Sequence, residues 1–373
     1  MRLSRTQQPR RTAMSEPRYA FEEKGRFARG WHIVALSQEL AKGDVKALHY
    51  FNEDLVLFRG DSGEAVILDA YCPHLGAHLA GTGSRVVGDT IRCPFHGWQF
   101  DCSGSCTAIP YANKIPDRAR NALKSWPVVE KNGFIALWYD SEAGAPNWQL
   151  PDIPEWNLPG WGDWRFNRTV IRSHGREIIE NIVDAGHFPS VHGGYPLQFD
   201  NIFTPYSVSQ ESRIQSDIEL DMIQPRGIDF DINAARRERG LDAEGWGVAT
   251  YHGPSVMYYY TTSKSPEMSY ASWWLNYHTP LNDDEVELTS GVIVASLTDE
   301  PLPQDFVDSY PLSAIAAFGS DVEVWETKKY RSDPILCDGD GPINKLRKWY
   351  DRFYRPRAEE AWDEPERVIS SVR

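Results

Sequence analysis

Two short stretches hold the residues best suited to chemistry: C-P-H-L-G-A-H-L at 72–79 and C-P-F-H-G-W at 93–98. Cys72 and His74 form C-x-H, and after eighteen intervening residues Cys93 and His96 form C-x2-H. Two thiolates on one iron and two imidazoles on the other are the ligand set of a [2Fe-2S] centre with a raised reduction potential. Common zinc frameworks pair like ligands within a knuckle, whereas each knuckle here offers one Cys and one His. Gly76 and Gly97 permit tight turns that aim backbone N–H groups at the sulfurs.

A third stretch, D-A-G-H-F-P-S-V-H at 184–192, carries the other chemical signal. It ends a segment in which Ile178, Ile179, Ile182 and Val183 recur at helical spacing. Asp184 and His187 are expected on one helix face, but His187 and His192 would diverge by about 140° at the ideal pitch. Pro189 is expected to break the helix and let His192 turn back from the following loop. Two imidazoles with one carboxylate make the facial triad of a non-haem Fe(II) site, which keeps positions open for O2 and substrate. The third ligand is missing locally, and H-x4-H alone is a weak motif. The cluster gives the pair its weight, because a one-electron centre joined to a larger domain needs an acceptor.

The elements that must position these residues are strand-rich. W-H-I-V-A-L, the pair of runs around the D-S-G turn at 61–63, and G-F-I-A-L-W-Y at 133–139 predict a small antiparallel β domain over 28–142, with the cluster on its loops. The Pro- and Gly-rich run 143–164 reads as a linker. A catalytic domain is expected over 165–354, combining the helix above with aromatic-rich strands and a helical section from Gln304 to Tyr330. Residues 1–27 read as an extension and 355–373 as a solvated tail; Arg236 to Glu244 reads as a charged surface loop or short helix. The fold class expected is α+β.

A formal charge of −14 argues against a nucleic-acid partner, which needs clustered Lys and Arg, and reads mainly as solvated surface, the sharper alternative being an acidic face for a basic redox partner. No apolar run reaches membrane-spanning length, and the first twenty residues, with five Arg, lack a secretory apolar core. Cys102, Cys106 and Cys337 are left over, and beside iron chemistry they suit free thiols in a reducing, cytoplasmic setting.

The chain resembles the oxygenase components of Rieske non-haem iron oxygenases, by C-P-H and C-P-F-H-G-W and by N-x2-D-x2-H-F-x3-H. The resemblance is strongest to the 3-ketosteroid 9α-hydroxylase group, through I-L-D-A-Y-C-P-H at 67–74, A-I-P-Y-A at 108–112, D-V-E-V-W at 321–325 and D-G-D-G-P-I-N-K-L-R-K-W-Y-D-R-F-Y at 338–354. It departs from that group where H-G-W stands for H-D-W and where Gly193 and Gly194 are read as leaving space beside the iron. The resemblance implies a helix-grip-like catalytic domain. It nominates Asp321 as third iron ligand, with Glu323 and Glu326 as local alternatives, and Asp184 as a carboxylate bridging one subunit's His96 or His74 to the next subunit's iron histidine. A homotrimer or larger ring follows from that. Asn181 is placed toward the iron pocket. The resemblance further implies electrons from NAD(P)H through a flavin/iron-sulfur reductase, O2 as co-substrate, and monooxygenation of a steroid-like or polycyclic apolar compound. Sterol desaturation, aromatic-ring dioxygenation and O-demethylation share these metals, while a Rieske electron carrier would need only the first domain. Tyr195, Phe199, Phe203, Tyr258, Tyr260 and Trp274 are the candidate pocket wall, of which alternation allows about half.

Overall fold

The strand runs before residue 140 form three small antiparallel sheets, and those after 165 form one large one. A computed structural model describes residues 27–216, 244–264, 268–359 and 365–369. Gly30–Leu36 pairs with Phe134–Tyr139, which also pairs with Val128–Lys131. The D-S-G turn joins Glu53–Arg59 to Ala65–Asp69 as a hairpin, flanked by Val45–Tyr50 and Ser125–Trp126. Leu55 and Leu57 face one core while Val56 and Phe58 face another, so this strand is apolar at successive positions and buried on both sides. The third sheet runs Arg85–Val87, Thr90–Arg92, Gln99–Phe100 and Cys106–Ala108, and its inner residues Ile91 and Phe100 pack behind Cys72 and Cys93.

The large sheet has eight antiparallel strands in the order Arg165–Ile171, Val286–Ser296, Ser269–Pro280, Val256–Lys264, Glu244–His252, Ser207–Ser216, Gly194–Phe203 and Glu366–Ile369. Alternation splits its residues between two partners. Val256, Tyr258, Leu275 and Tyr277 pack against Trp31, Ile33, Phe134 and Trp138 of the first sheets. Ala249, Tyr251 and Met257 face Ile179, Ile182 and Val183 and the helix Ile343–Asp351. The helix Gln304–Gly319 covers Val292 and Val294 on that same side. The run 144–164 holds no helix or strand, yet Trp148, Leu150 and Ile153 are buried between the two parts. It is a packed strap.

Two expectations need correcting. The helix Gly175–Ile179 tightens into a 3-10 turn, Glu180–Val183, and stops there: Asp184 is extended, at φ −93° and ψ 103°, so it shares no helix face with His187. The C-terminal stretch is not simply a tail, because Glu366–Ile369 adds an edge strand to Asp200–Phe203, and Arg367 bonds Asp200 and Glu211 at 2.7 Å each. The charged patch Arg236 to Glu244 and the extension before residue 27 lie outside the described residues, Glu244 being described in its backbone alone.

Candidate metal centres

The two cluster loops share one turn. Cys72 N–H donates to Ala77 O and Gly76 N–H to Cys72 O, both at 2.9 Å; Cys93 N–H donates to Trp98 O at 2.8 Å and Gly97 N–H to Cys93 O at 3.1 Å. Gly76 and Gly97 both lie at φ +74°, a conformation open to glycine without steric cost. The His stands two residues after Cys in one loop and three after it in the other, and the His74 and His96 rings meet with centroids 4.7 Å apart at 73°. Both thiols are buried and both rings half-buried. Burial pushes the Cys72 thiol up to about 12, and neighbouring Cys93 pushes the same way. Two buried thiols side by side are stable as ligands only when a cation takes them as thiolates, so this pocket fits an iron–sulfur cluster. Trp98 stacks on His74 at 4.7 Å and donates from Nε1 to the Tyr111 hydroxyl at 2.9 Å.

The second centre is assembled from two distant segments. Residues Phe188–His192 form a π-helical turn, closed by Gly193 N–H on Phe188 O, with Gly193 left-handed at φ 58°. In a turn of that width residues five apart return to nearly one side, so His187 and His192 converge without the break expected at Pro189. Pro189 lies in the first turn, where its missing N–H is not needed. Asp321, buried in the bend between the helices Gln304–Gly319 and Val322–Thr327, faces both rings: Oδ2 is 3.4 Å from His192 Nε2 and Oδ1 is 4.0 Å from His187 Nε2. Ligand atoms of the three residues all lie within 4.8 Å of one another. Two imidazoles and a carboxylate at this spacing fit a facial iron triad.

Supporting contacts orient this set. His187 Nδ1 pairs with the Asp184 backbone oxygen at 2.8 Å, which leaves Nε2 as the metal-facing atom. Burial holds the His187 imidazole below its usual range, against the pull of Asp321, and the neutral ring is the form a metal binds. The Asp184 carboxylate lies 3.7 Å from the same ring and accepts from Gly186 N–H, with a third of its side chain exposed. Asn181 does not join the triad. Its Oδ1 accepts from Trp325 Nε1 at 3.3 Å, and Trp325 N–H in turn bonds Asp321 O, so Asn181 braces the helix that carries the carboxylate. Glu326 is turned away to Arg172 N–H.

Of the expected pocket wall, Trp274 lies on the helix-facing side of the sheet, opposite Tyr259 in register. Phe199 is fully buried and meets Phe188, which touches His192; Phe203 is fully buried in the core beneath the helix Ile343–Asp351. Tyr195 is 42% exposed. Tyr258 faces the first domain and bonds Asn132, and Tyr260 sits against Trp273 on the same side, so both point away from the histidines. Gly194 has a packing reason instead of an open space, since a Cβ there would come within 2.8 Å of Ile214 Cγ2. The sequence reading passed over Asn276. It is 1% exposed, neither side-chain amide atom has a partner among the described residues, and it lies in one lateral row with Tyr251, Met257 and Ser290 on the helix-facing side. Its spacing of two from Trp274 was the available signal.

A cluster domain followed by helices on a single antiparallel sheet is the architecture of the Rieske oxygenases. Among solved structures, dicamba monooxygenase bound to dicamba matches with a TM-score of 0.66 at 20% identity, over 88% of this chain and 98% of that one. Residues 30–127 match the family described as Rieske [2Fe-2S] domain, and residues 137–354 match the 3-ketosteroid 9alpha-hydroxylase C-terminal domain. The probable 3-ketosteroid-9-alpha-monooxygenase oxygenase component of Rhodococcus rhodochrous is 36% identical over 336 residues, spanning 88% of this chain and 80% of that protein. The cholesterol 7-desaturase nvd of Hemicentrotus pulcherrimus is 30% identical over 349 residues, 88% of this chain and 70% of that protein. The chain belongs to the 3-ketosteroid 9α-hydroxylase family of Rieske monooxygenases, as an oxygenase component. Among the described residues no helix is long and apolar enough to cross a membrane.

Proposed function

We propose that this chain hydroxylates a C–H bond of a steroid-like or polycyclic substrate, using O2 and electrons that an NAD(P)H-dependent flavin/iron-sulfur reductase supplies. The observation that carries the reading is the convergence of His187, His192 and Asp321 on one point within a domain that begins after a Cys72–His74–Cys93–His96 pocket. Cys72, His74, Cys93 and His96 would hold a cluster that supplies single electrons, and His187, His192 and Asp321 would hold an iron that supplies O2 activation, so that with two electrons and two protons one oxygen atom would enter the C–H bond and the other would leave as water.

The chain's own residues prepare that chemistry. Asp184 fixes the tautomer of His187 through its backbone oxygen, and its partly exposed carboxylate is the group a neighbouring subunit's His96 or His74 would meet in a ring, most simply a trimer. Asn276, Tyr259, Met257 and Trp274 offer a flat apolar wall with one amide able to donate to a carbonyl oxygen or accept from a hydroxyl. The surrounding buried side chains keep water from the reacting C–H bond. The test is turnover with a surrogate reductase, screening steroids against aromatic acids while O2 uptake is followed with product mass. Steroid hydroxylation at about one O2 per product is expected for a coupled monooxygenase. Oxidation of aromatic acids alone would contradict the reading.

A further inference from the structure

The charge of the molecule is unevenly placed. The whole chain carries −14, yet residues 71–125, which wrap the cluster pocket, hold six Lys/Arg against three Asp and no Glu, a net of +3. Arg85 and Arg92 stand directly opposite each other on the outer face of the small sheet, whose inner face packs behind Cys72 and Cys93. Like charges across an antiparallel pair are destabilising, so the pairing calls for a reason outside the fold. Arg92 lies over the second cluster loop: a Cβ on Gly97 would meet its guanidinium at 2.8 Å. Lys114 and Arg118 are exposed on the segment that follows Tyr111, and that segment is anchored to the cluster core by Ile115 and Ala119.

The local acids do not neutralise these cations. Asp89 accepts from Ser62 N–H, Asp101 from Ser103 and Ser105 N–H, and Asp117 pairs with Arg120. Arg85, Arg92, Lys114 and Arg118 have no carboxylate within 4 Å among the described residues. Tyr111, 61% exposed, follows Pro110, which shares the surroundings of Gly97 with Arg92, and it bonds the Trp98 indole that stacks on His74. The basic residues thus lie on the elements that flank an aromatic pair linking solvent to a cluster imidazole, and exposed Phe95 lies against the other imidazole, His96.

We propose that this face, Arg85, Arg92, Lys114 and Arg118 around Tyr111, is where the reductase docks, and that the reductase presents carboxylates to it. The inference rests on the reading of the chain as a reductase-dependent oxygenase. It reverses the polarity that overall composition suggests: an acidic protein meets its electron donor through a local basic surface. Opposed patches raise the encounter rate of redox partners and leave it sensitive to salt.

The test follows reduction of the oxidised cluster by NAD(P)H and a flavin/[2Fe-2S] reductase in stopped flow, using the full-length holoprotein. Expected are a rate that falls about tenfold from low to physiological and higher salt, inhibition by poly-glutamate, and an R85E/R118E double variant that is about tenfold slower at low salt and no longer sensitive to salt or poly-glutamate. Reduction of that variant by dithionite should match wild type. A salt-insensitive wild-type rate untouched by poly-glutamate overturns the docking face and leaves the reductase reading standing. A variant that changes oligomeric mass while reacting normally with the reductase overturns it in favour of contact between copies of this chain. A cluster that dithionite reduces but no such reductase does, at any salt, removes the reading on which the inference rests.

Discussion

The cluster pocket and the triad pocket solve one problem, holding two imidazoles beside the remaining ligands of a metal centre, two thiols in one and one carboxylate in the other, by opposite means. Each cluster loop is closed by hydrogen bonds between residues four and five apart, with a glycine at φ +74° in the same place in both. The triad instead joins a π-helical turn to a carboxylate more than a hundred residues later, through helices that rest on a shared sheet. A turn-built site depends on local backbone, whereas a packing-built site depends on everything that holds its segments together. The first should tolerate distant changes that the second does not.

The sharpest break of that contrast is Asp321→Ala. Turnover should fall by at least about a hundredfold, the range seen when even supporting groups of a metal site are lost, while the visible spectrum of the cluster is unchanged. Asp184→Asn comes next. Iron analysis should show both centres retained, yet turnover should drop about ten- to a hundredfold; full activity would remove Asp184 from the route between subunits. Asn181→Ala touches neither metal ligand nor substrate, but it frees Trp325 and with it the helix of Asp321. Iron affinity should weaken about tenfold, with the cluster's electron paramagnetic resonance signal unaltered.

Acid should separate the regions as well. Burial lowers His32 and His252 to about 4, and His174 and His278 to about 3; three of these four belong to the large-sheet domain. An unfolded imidazole takes its proton near pH 6.5 and these folded ones do not, so their stability contribution is complete above 6.5 and is lost as pH falls, toward 4 for His32 and His252 and toward 3 for His174 and His278. At pH 5 each ring costs about 2 kcal/mol. Circular dichroism melting from pH 7.5 to 5 should show a steep fall in Tm, and a flat profile would contradict the burial. The smallest effect concerns Asn276→Leu, which removes a buried amide without partners. The Tm should hold or rise, while substrate affinity weakens by about 1–3 kcal/mol.

The contrast also explains what the sequence could convey. Cys72, His74, Cys93 and His96 were legible because their spacing is the turn that holds them. The strands and the D-S-G hairpin were legible because apolar runs and turn residues are local signals. Asp321 stood beside Glu323 and Glu326 with nothing in the chain to separate them except family resemblance; burial against two imidazoles distinguishes it only in three dimensions. The convergence of His187 and His192 was foreseen with the wrong cause, since one extra residue in a helical turn leaves no mark in composition. Tyr258 and Tyr260 were misplaced because both faces of Val256–Lys264 are covered, one by the first domain and one by helices, so an aromatic run carries no sign of which side faces the iron.

Iron counted per chain, beside the cluster spectrum, tests the central claim most directly. Wild-type protein should hold about three irons and Asp321→Ala about two, with identical cluster absorbance. Two irons in both proteins, after anaerobic reconstitution, would contradict a second iron centre at His187, His192 and Asp321.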